Sequence, residues 1–570
     1  MRIKHFFGLA VIAAMTASCS SNNDLVNGGN GSGEVENGTA YASFKINLPT
    51  TSGTRAAGEP TFDKGDANEY KVNDATLLLF KKDATTGKYQ FKESVDLGNM
   101  EPWTSSSTEG ITTTAKLTAK ITKAEVGSNK GYYALIILNN NSKTAAKITE
   151  PTDGQTYADW SKNANNATVA NYLKHDNGFF MANAPKYVAG APETLVEIKN
   201  IYASKQEAEN STATTVYVER GLAKVSLAST SNEHVDIADG NYAGDHVDIT
   251  GWTLDVTNNK TYPVHVTDEL WEDIWKTAAT TAATNGATMD RFHDTKLTEF
   301  QRVYWGLDPN YKKEFATVEA CEGEFTMAKT SDFKTGKDAK KAQYCLENTF
   351  DIAHMMQGQT TRVLFSAKYT PNGFSDGETF YKMGNSSQLW NATKVEAQIK
   401  AKAQEVLGEA DASKVTVTLA AEGNDMTKAG VHLVAAANIT YGTTALAPEK
   451  VDEINAKLGF KKATPTDAEV GLSTFASGVS YYIARVKHFN ELTPWNAGDA
   501  TYADNNINWL GRYGVLRNNW YELTVNSVSG PGYPDIPKVK PTDPDDENSQ
   551  YINVSVKILD WAKRSQSVDL

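Results

Sequence analysis

The sequence predicts a mainly β protein, built from antiparallel β-sandwich domains with helices inserted in the second half of the chain. Several short stretches alternate apolar and polar side chains, with the period of two residues that a half-buried strand requires. Loops rich in Asn, Thr and Gly separate these stretches, which is typical of antiparallel sheets. Helical periodicity is weak before residue 218 and recurs after it.

The chain begins with a predicted export signal, residues 1–18. Arg2 and Lys4 precede an apolar run that is too short to span a membrane permanently. Residues 16–19, Thr-Ala-Ser-Cys, resemble a lipobox, in which Cys19 would be diacylated and would become the new N-terminus. The Gly, Asn and Ser residues that follow, up to residue 38, are not expected to fold.

The first predicted strand precedes a predicted protease site. Its apolar residues alternate with polar ones and are Ala40, Ala42, Phe44, Ile46 and Leu48. Small flexible residues then surround Arg55, the one arginine between Arg2 and Arg220, so an arginine-specific cut between Arg55 and Ala56 is expected. The alternative is an ordinary edge strand and loop. If the cut occurs, the sheet that holds this strand loses it.

Two folded regions follow, residues 56–217 and residues 218–530. The first has predicted strands at 76–80, 115–121 and 134–138, and the second has them at 362–369, 415–419 and 481–486. A capping box at Thr393 and Glu396 predicts a helix that ends at Gly408, and a second helix should end at Gly459. A third amphipathic helix should carry Trp271 and Trp275.

The C-terminal residues 531–570 predict an arm followed by a strand. Five prolines between 531 and 550, together with Asp543, Asp545, Asp546 and Glu547, indicate an extended, unpacked linker of about 60 Å at about 3.1 Å per residue. The strand has no visible partner in its own neighbourhood, and its apolar face is formed by Ile552, Val554, Val556 and Ile558. A charge should be costly at Val554 and mild at Ser555, on the opposite face.

Composition excludes some partners. The 570 residues carry a net charge of −13, which argues against nucleic acid and anionic lipid surfaces, because both attract basic patches. Of the three cysteines, Cys19 belongs to the signal, so Cys321 and Cys345 are the one possible disulfide pair. Export permits that bond, but two cysteines do not establish it.

The sequence contains no recognisable catalytic, cofactor or metal motif. The segments 234–236 and 246–248, each His-Val-Asp, alternate like a hairpin with a polar loop rather than a metal site. Asp543, Asp545 and Asp546 suggest a solvated linker rather than a calcium loop. Trp271 and Trp275 are expected to be core residues rather than a sugar-stacking platform.

Several stretches, in this order along the chain, resemble Bacteroidales fimbrillins, the Mfa-like shaft subunits of type V pili. They are the lipoprotein signal, the strand before Arg55, VERGLAKVSL at 218–227, YCLENT at 344–349, RNNWYELTV at 517–525, the proline-rich arm, and an ending with Trp561 and a final Val-Asp-Leu.

The resemblance implies two transthyretin-like β-sandwich domains and an assembly route. A precursor lipidated at Cys19 would reach the outer membrane, and a trypsin-like protease would cut after Arg55, making residues 19–55 a propeptide. The strand at 40–48 would leave, and residues 552–558 of the next copy would enter its groove. The product would be a surface fimbria of many copies with related anchor and tip subunits, which supports adhesion to host or bacterial surfaces and biofilm formation without being an enzyme.

Two other classes stay open. A surface glycan-binding lipoprotein would keep Cys19 as a permanent tether and would need neither a removable strand nor a C-terminal arm. A secreted hydrolase would need a clustered acid and base, and the sequence places none. The N-terminus of the mature protein separates the first alternative from a pilin, because a glycan binder would begin at Cys19 and a pilin at Ala56.

Overall fold

The structure is a computed structural model, and parts of the chain are described by it. The described residues are 38–49, 69–98, 104–105, 111–140, 147–163, 169–173, 178–188, 191–229, 231–267, 301–464, 468–488, 511, 513–545 and 552–560. Cys19, Arg55, Ala56, Trp271 and Trp275 therefore lie outside the described residues. Within the described part no helix is both long and apolar enough to cross a bilayer.

The prediction of a mainly β protein is confirmed. The strands of the first half are β1 (Ala40–Pro49), β2 (Ala75–Lys82), β3 (Tyr89–Gly98), β4 (Thr104–Ser105), β5 (Ile111–Ile121), β6 (Gly127–Ser128), β7 (Tyr132–Leu138), β8 (Met181–Asn183), β9 (Lys186–Val188), β10 (Ala191–Glu193), β11 (Val196–Glu197), β12 (Asn200–Ile201) and β13 (Thr214–Arg220). Its short helices are α1 (Tyr157–Ser161), α2 (Val169–Tyr172) and α3 (Lys205–Asn210).

In the described residues of this half, one nine-stranded sheet encloses a hydrophobic core. The strand order is β3-β2-β7-β8-β13-β1-β5-β4, and β11 pairs with β7. The core is formed by the apolar faces of β1, β2, β7 and β13, with Leu77, Phe80, Ile136 and Val216 fully buried. The first strand is thus inside the sheet, and its pairing with β13 is parallel, which differs from a purely antiparallel sandwich and from an edge strand.

The second half has a second core between two sheets. Its strands are β14 (Leu222–Leu227), β15 (His234–Asp236), β16 (His246–Asp255), β17 (Thr257–Asn258), β18 (Phe325–Thr326), β19 (Lys334–Thr335), β20 (Gln343–Leu346) and β21 (Arg362–Thr370), with helix α4 (Val318–Glu324) before β18.

The helical insertion has a core of its own. Its elements are β22 (Phe380–Met383), β23 (Leu389–Trp390), α5 (Ala392–Leu407), β24 (Val415–Val417), β25 (Ala420–Ala421), β26 (Asn424–Asp425), β27 (Gly430–His432), β28 (Ile439–Tyr441), β29 (Thr444–Ala445) and α6 (Pro448–Lys457). Val395 and Ile399 of α5 pack with Val451 and Ile454 of α6 in that core. The insertion is therefore a packed module between two strands of the β framework.

The chain then returns to the β framework. The last strands are β30 (Leu472–Phe475), β31 (Val479–Arg485), β32 (Asn519–Val528) and β33 (Ile552–Asp560). One sheet has the order β20-β14-β32-β33 and the facing sheet β15-β16-β21-β31, and their apolar faces meet at Val225, Phe365, Tyr482 and Leu523.

The helix boundaries were predicted in part. Gly408 ends α5 with φ 63°, a left-handed conformation that glycine adopts at little cost, as the sequence indicates. The N-cap is Asn391 and not Thr393, because the Asn391 side chain accepts the hydrogen bond from the Lys394 amide. Gly459 follows α6 at φ 75°.

Candidate functional site

The first strand is bound along both of its edges. On one side β1 pairs antiparallel with β5 from Ala40 to Pro49, and on the other it pairs parallel with β13 from Phe44 to Asn47. The Tyr41 amide also donates to the Tyr202 carbonyl at 2.8 Å. Strand β1 thus separates β5 from β13, and the residues before the predicted cut supply an interior strand.

The inner face of β1 is completely buried. Phe44, Ile46 and Leu48 have no exposed surface, and Ala42 is 1% exposed. These side chains are part of the first hydrophobic core, so the period of two found in the sequence does mark a core face.

The outer face of β1 is covered at two positions and open between them. The Ser43 hydroxyl donates to the Ala208 carbonyl of α3 at 2.6 Å and lies 2.8 Å from the Thr118 hydroxyl. The Thr114 hydroxyl donates to Asn47 Oδ1 at 2.7 Å. Ser43 and Asn47 are 4% and 3% exposed, whereas Lys45 is exposed. The sequence prediction missed this cover, because small polar residues look alike at buried and exposed positions.

The C-terminal strand pairs with another strand of the same chain. Strand β33 is antiparallel to β32 from Val528↔Ile552 to Asn519↔Asp560, with a register shift between Val525 and Ser527. It stands at the end of its sheet and has one neighbour in the strand order. The expectation of a strand without a partner in its own neighbourhood is therefore wrong.

The segment before β33 is packed, which corrects the prediction of an extended, unpacked arm. Tyr533 forms a backbone bridge with Tyr481, at 2.8 and 2.9 Å, and so continues the edge of β31. The Pro537 carbonyl accepts from Arg362 at 2.7 Å, and Val539 is buried in a small apolar cluster. This segment therefore packs against β21 and β31 instead of leaving them.

A buried ion pair fixes the end of this segment. Asp545 is 1% exposed and forms a salt bridge with Arg485 of β31. The Asp545 amide donates to the Met355 carbonyl at 2.7 Å. The expectation that Asp545 belongs to a solvated linker is therefore wrong, whereas Asp543 does pair at the surface with Lys540, at 3.1 Å.

Three of the stretches that carry the resemblance, residues 218–227, 344–349 and 517–525, meet where the two large cores adjoin. Glu219, at the end of β13, is fully buried, with His265 Nδ1 at 2.8 Å and Arg302 at 2.7 Å. Burial opposes its charge, but His265 and Arg302 outweigh that effect and hold the pKa of Glu219 below its usual range.

The other two stretches complete the buried network. Arg517 pairs with Glu347 at 3.0 Å. Burial lowers the pKa of Arg517, but the charges of Glu347 and Glu219 outweigh that effect and hold it above its usual range. Lys224 of β14 pairs with Glu69 at 2.7 Å, and the Tyr344 hydroxyl donates to the same carboxylate at 2.6 Å. These motifs hold the framework together and anchor β13, one wall of the site that β1 fills.

The remaining candidates among the described residues are a cysteine pair and a hairpin with two histidines. Cys321 and Cys345 are buried free thiols, so the structure lacks the disulfide that the cysteine count leaves open. Segments 234–236 and 246–248 form the β15–β16 hairpin, with His234 Nδ1 2.6 Å from Asp248. Among the described residues no group of three or more His, Cys, Asp or Glu side chains is placed to hold a metal ion.

Comparison with solved structures found weak likenesses. A candidate cell adhesion protein from Parabacteroides distasonis has a TM-score of 0.37 at 10% identity, over 93% of this chain and 99% of that one. One from Bacteroides eggerthii has a TM-score of 0.34 at 12% identity, over 93% and 98%. A fimbrial assembly protein from P. distasonis has a TM-score of 0.26 at 10% identity, over 59% and 87%. Scores this low carry no weight for fold or function.

The comparison with family models is more specific. Residues 473–567 match the C-terminal region of fimbrillin, the major fimbrial subunit protein type IV. This span covers β31, β32, the packed segment and β33, and it includes the RNNWYELTV stretch on which the resemblance partly rests. No curated protein matches the chain significantly. The match supports the resemblance over residues 473–567, the part of the chain that is similar to the C-terminal region of fimbrillin.

Proposed function

We propose that this chain is a structural shaft subunit of a surface fimbria and that it polymerises by strand exchange. The precursor is exported and lipidated at Cys19 in the outer membrane. A trypsin-like protease cuts between Arg55 and Ala56 and frees β1. The strand β33 of a second copy then occupies the place of β1, and anchor and tip subunits complete a fibre that supports adhesion and biofilm formation.

The position of β1 is the observation that carries the proposal. If the predicted cut removes β1, the sheet loses an interior strand. That loss is costly in free energy unless another strand takes its place. Neighbouring strands lie about 4.8 Å apart, so loss of β1 would leave β5 and β13 about 10 Å apart with unpaired backbone groups facing each other. One incoming strand fits that gap and restores both ladders.

The two locations available to β33 differ in the number of ladders. At the edge of its own sheet it pairs with β32 alone, whereas in the groove it would pair on both sides. Burying the side chains of Ile552, Val554, Val556 and Ile558 is worth about 6–12 kcal/mol before ordering costs. The second ladder favours exchange once β1 has left.

The domain division belongs to the same proposal. We assign residues 56–217 and 218–530 to two transthyretin-like sandwiches, the second with helical insertions. The first core draws mainly on strands up to β13, and the second begins with Ala223 of β14. This distribution of buried residues supports a boundary near residue 218.

The test is the N-terminus and assembly state of the full chain expressed on its host cell. We expect the wild-type protein to begin at Ala56 and to give SDS-resistant ladders, whereas Arg55→Ala gives a folded, lipid-bound monomer that begins at Cys19. Lys64→Ala, nine residues downstream, is the matched control and should leave both properties unchanged. Normal fibres built from uncut Arg55→Ala subunits would overturn the proposal.

A further inference from the structure

The strand that leaves and the strand proposed to enter share a short sequence. Residues 43–46 read Ser-Phe-Lys-Ile and residues 555–558 read Ser-Val-Lys-Ile. In β1 the serine is buried, the lysine is exposed and the isoleucine is in the core. The two strands therefore share their residue at three positions, and in β1 these positions have three different environments.

The environment of Ser43 is a polar notch, which we define as the Ala208 carbonyl and the Thr118 hydroxyl above the outer face of β1. A hydroxyl at this position satisfies both groups, at 2.6 and 2.8 Å. The polar notch accepts a small hydroxyl side chain, and removal of β1 would leave its groups without that partner.

We infer that Ser555 of a second copy enters the polar notch and thereby sets the register of strand exchange. The inference rests on the proposed function and gives it a residue-level geometry. In this register Val554, Val556 and Ile558 take the places of Ala42, Phe44 and Ile46, and Lys557 takes the exposed place of Lys45. The incoming strand runs in the direction of β1, parallel to β13 and antiparallel to β5.

Charge excludes the neighbouring registers. A shift by two residues places Lys557 at Ser43 or at Asn47, which are both buried, and a buried unpaired ammonium is strongly unfavourable. A shift by one residue turns Lys557 into the apolar core. Insertion in the opposite direction with Ser555 in the polar notch places Lys557 at the half-buried Tyr41 position, so the exposed Lys45 position favours the parallel direction.

The register also limits the length of the inserted strand. Leu559 would face Thr114, and Asp560 would reach the position of Leu48, which is fully buried. The β1–β5 ladder has its register shift between Leu48 and Pro49. Close pairing is therefore expected to end at Ile558.

Engineered disulfides in fibres of the full chain test the register. Lys45 lies opposite Lys116 of β5, so Lys557→Cys combined with Lys116→Cys should give a covalent ladder after boiling in SDS without reductant. Reversed insertion predicts the ladder with Lys120→Cys, opposite Tyr41, and the two-residue shift that places Lys557 at Asn47 predicts it with Thr114→Cys. Lys557→Cys alone is the control for the natural cysteines.

The outcomes separate the inference from the proposed function. A ladder at least about tenfold stronger for the Lys116 pair than for the other two pairs supports it. The register is overturned by a ladder from the Lys120 or Thr114 pair instead. It is also overturned by fibres in which no pair cross-links. In both cases the ladder on unboiled gels still reports whether strand exchange occurs. Absence of SDS-resistant polymer in the wild type would overturn the proposed function and the register with it.

Discussion

Strands β1 and β33 have the same alternating pattern but lie in opposite surroundings. Strand β1 has two neighbours and is covered on its inner face and at two places on its outer face. Strand β33 has one neighbour and ends its sheet. An alternating pattern therefore predicts that a strand forms, but not how firmly it is held, and in this chain the firmly held strand is the one upstream of the expected cut.

The largest expected effect comes from placing a charge on the inner face of the incoming strand. Val554→Asp should abolish SDS-resistant polymer, because a carboxylate in the apolar groove costs several kcal/mol. Asn553→Asp, one residue away on the outer face, is the control and should assemble. If Val554→Asp and the wild type gave equal ladders on unboiled gels, Val554 would not lie on the inner face of the incoming strand.

The packed segment before β33 limits how far this strand can reach. With Asp545 held by Arg485, the seven residue steps from Asp545 to Ile552 span at most about 25 Å, far less than the 60 Å expected of a free arm. A subunit whose segment stays packed must then present Asp545 within that distance of the next groove.

Asp545→Asn tests whether the pair with Arg485 anchors this segment to β31. Loss of one partner of a buried pair should cost about 3 kcal/mol and should expose residues 530–545 to proteolysis and hydrogen exchange. Asp543→Asn removes a surface pair and should cost less than about 1 kcal/mol. Equal protection of the segment in both variants and equal denaturation midpoints would refute the anchoring role of Asp545.

The sequence predicted much of the framework and less of the site. Apolar runs located β2 and β7, and alternation located β5, because each of these strands has side chains in a core. Strands β21 and β31 were predicted as well, and they line the second core. The proline-rich and acidic composition wrongly predicted that the segment up to Asp545 is unpacked. The partner of Asp545, Arg485, is 60 residues away, and no local sequence pattern indicates this contact. Nor does any local pattern reveal that β1 pairs parallel with β13 or that α3 covers Ser43, because both contacts join residues more than 160 positions apart.

The smallest expected effect distinguishes the outer faces of the two strands. On sequence alone a charge at Ser555 should be mild, but if Ser555 enters the polar notch, Ser555→Asp brings a carboxylate against the Ala208 carbonyl. We expect a cost of about 1–3 kcal/mol, seen as roughly tenfold less polymer or a lower temperature of ladder dissociation. Ser555→Ala, which only removes a hydrogen bond, should cost about 1 kcal/mol.

Asn553→Asp again supplies the control, because its place in the proposed register is that of Tyr41, which is half-buried and has no polar notch above it. If the outer face of the groove were uniformly open, the two aspartate variants would assemble equally well. A deficit confined to Ser555→Asp, with the monomer still folded by circular dichroism, would instead place the specificity of assembly in one hydroxyl group. The incoming strand would then be selected by its polar face as well as by its apolar one.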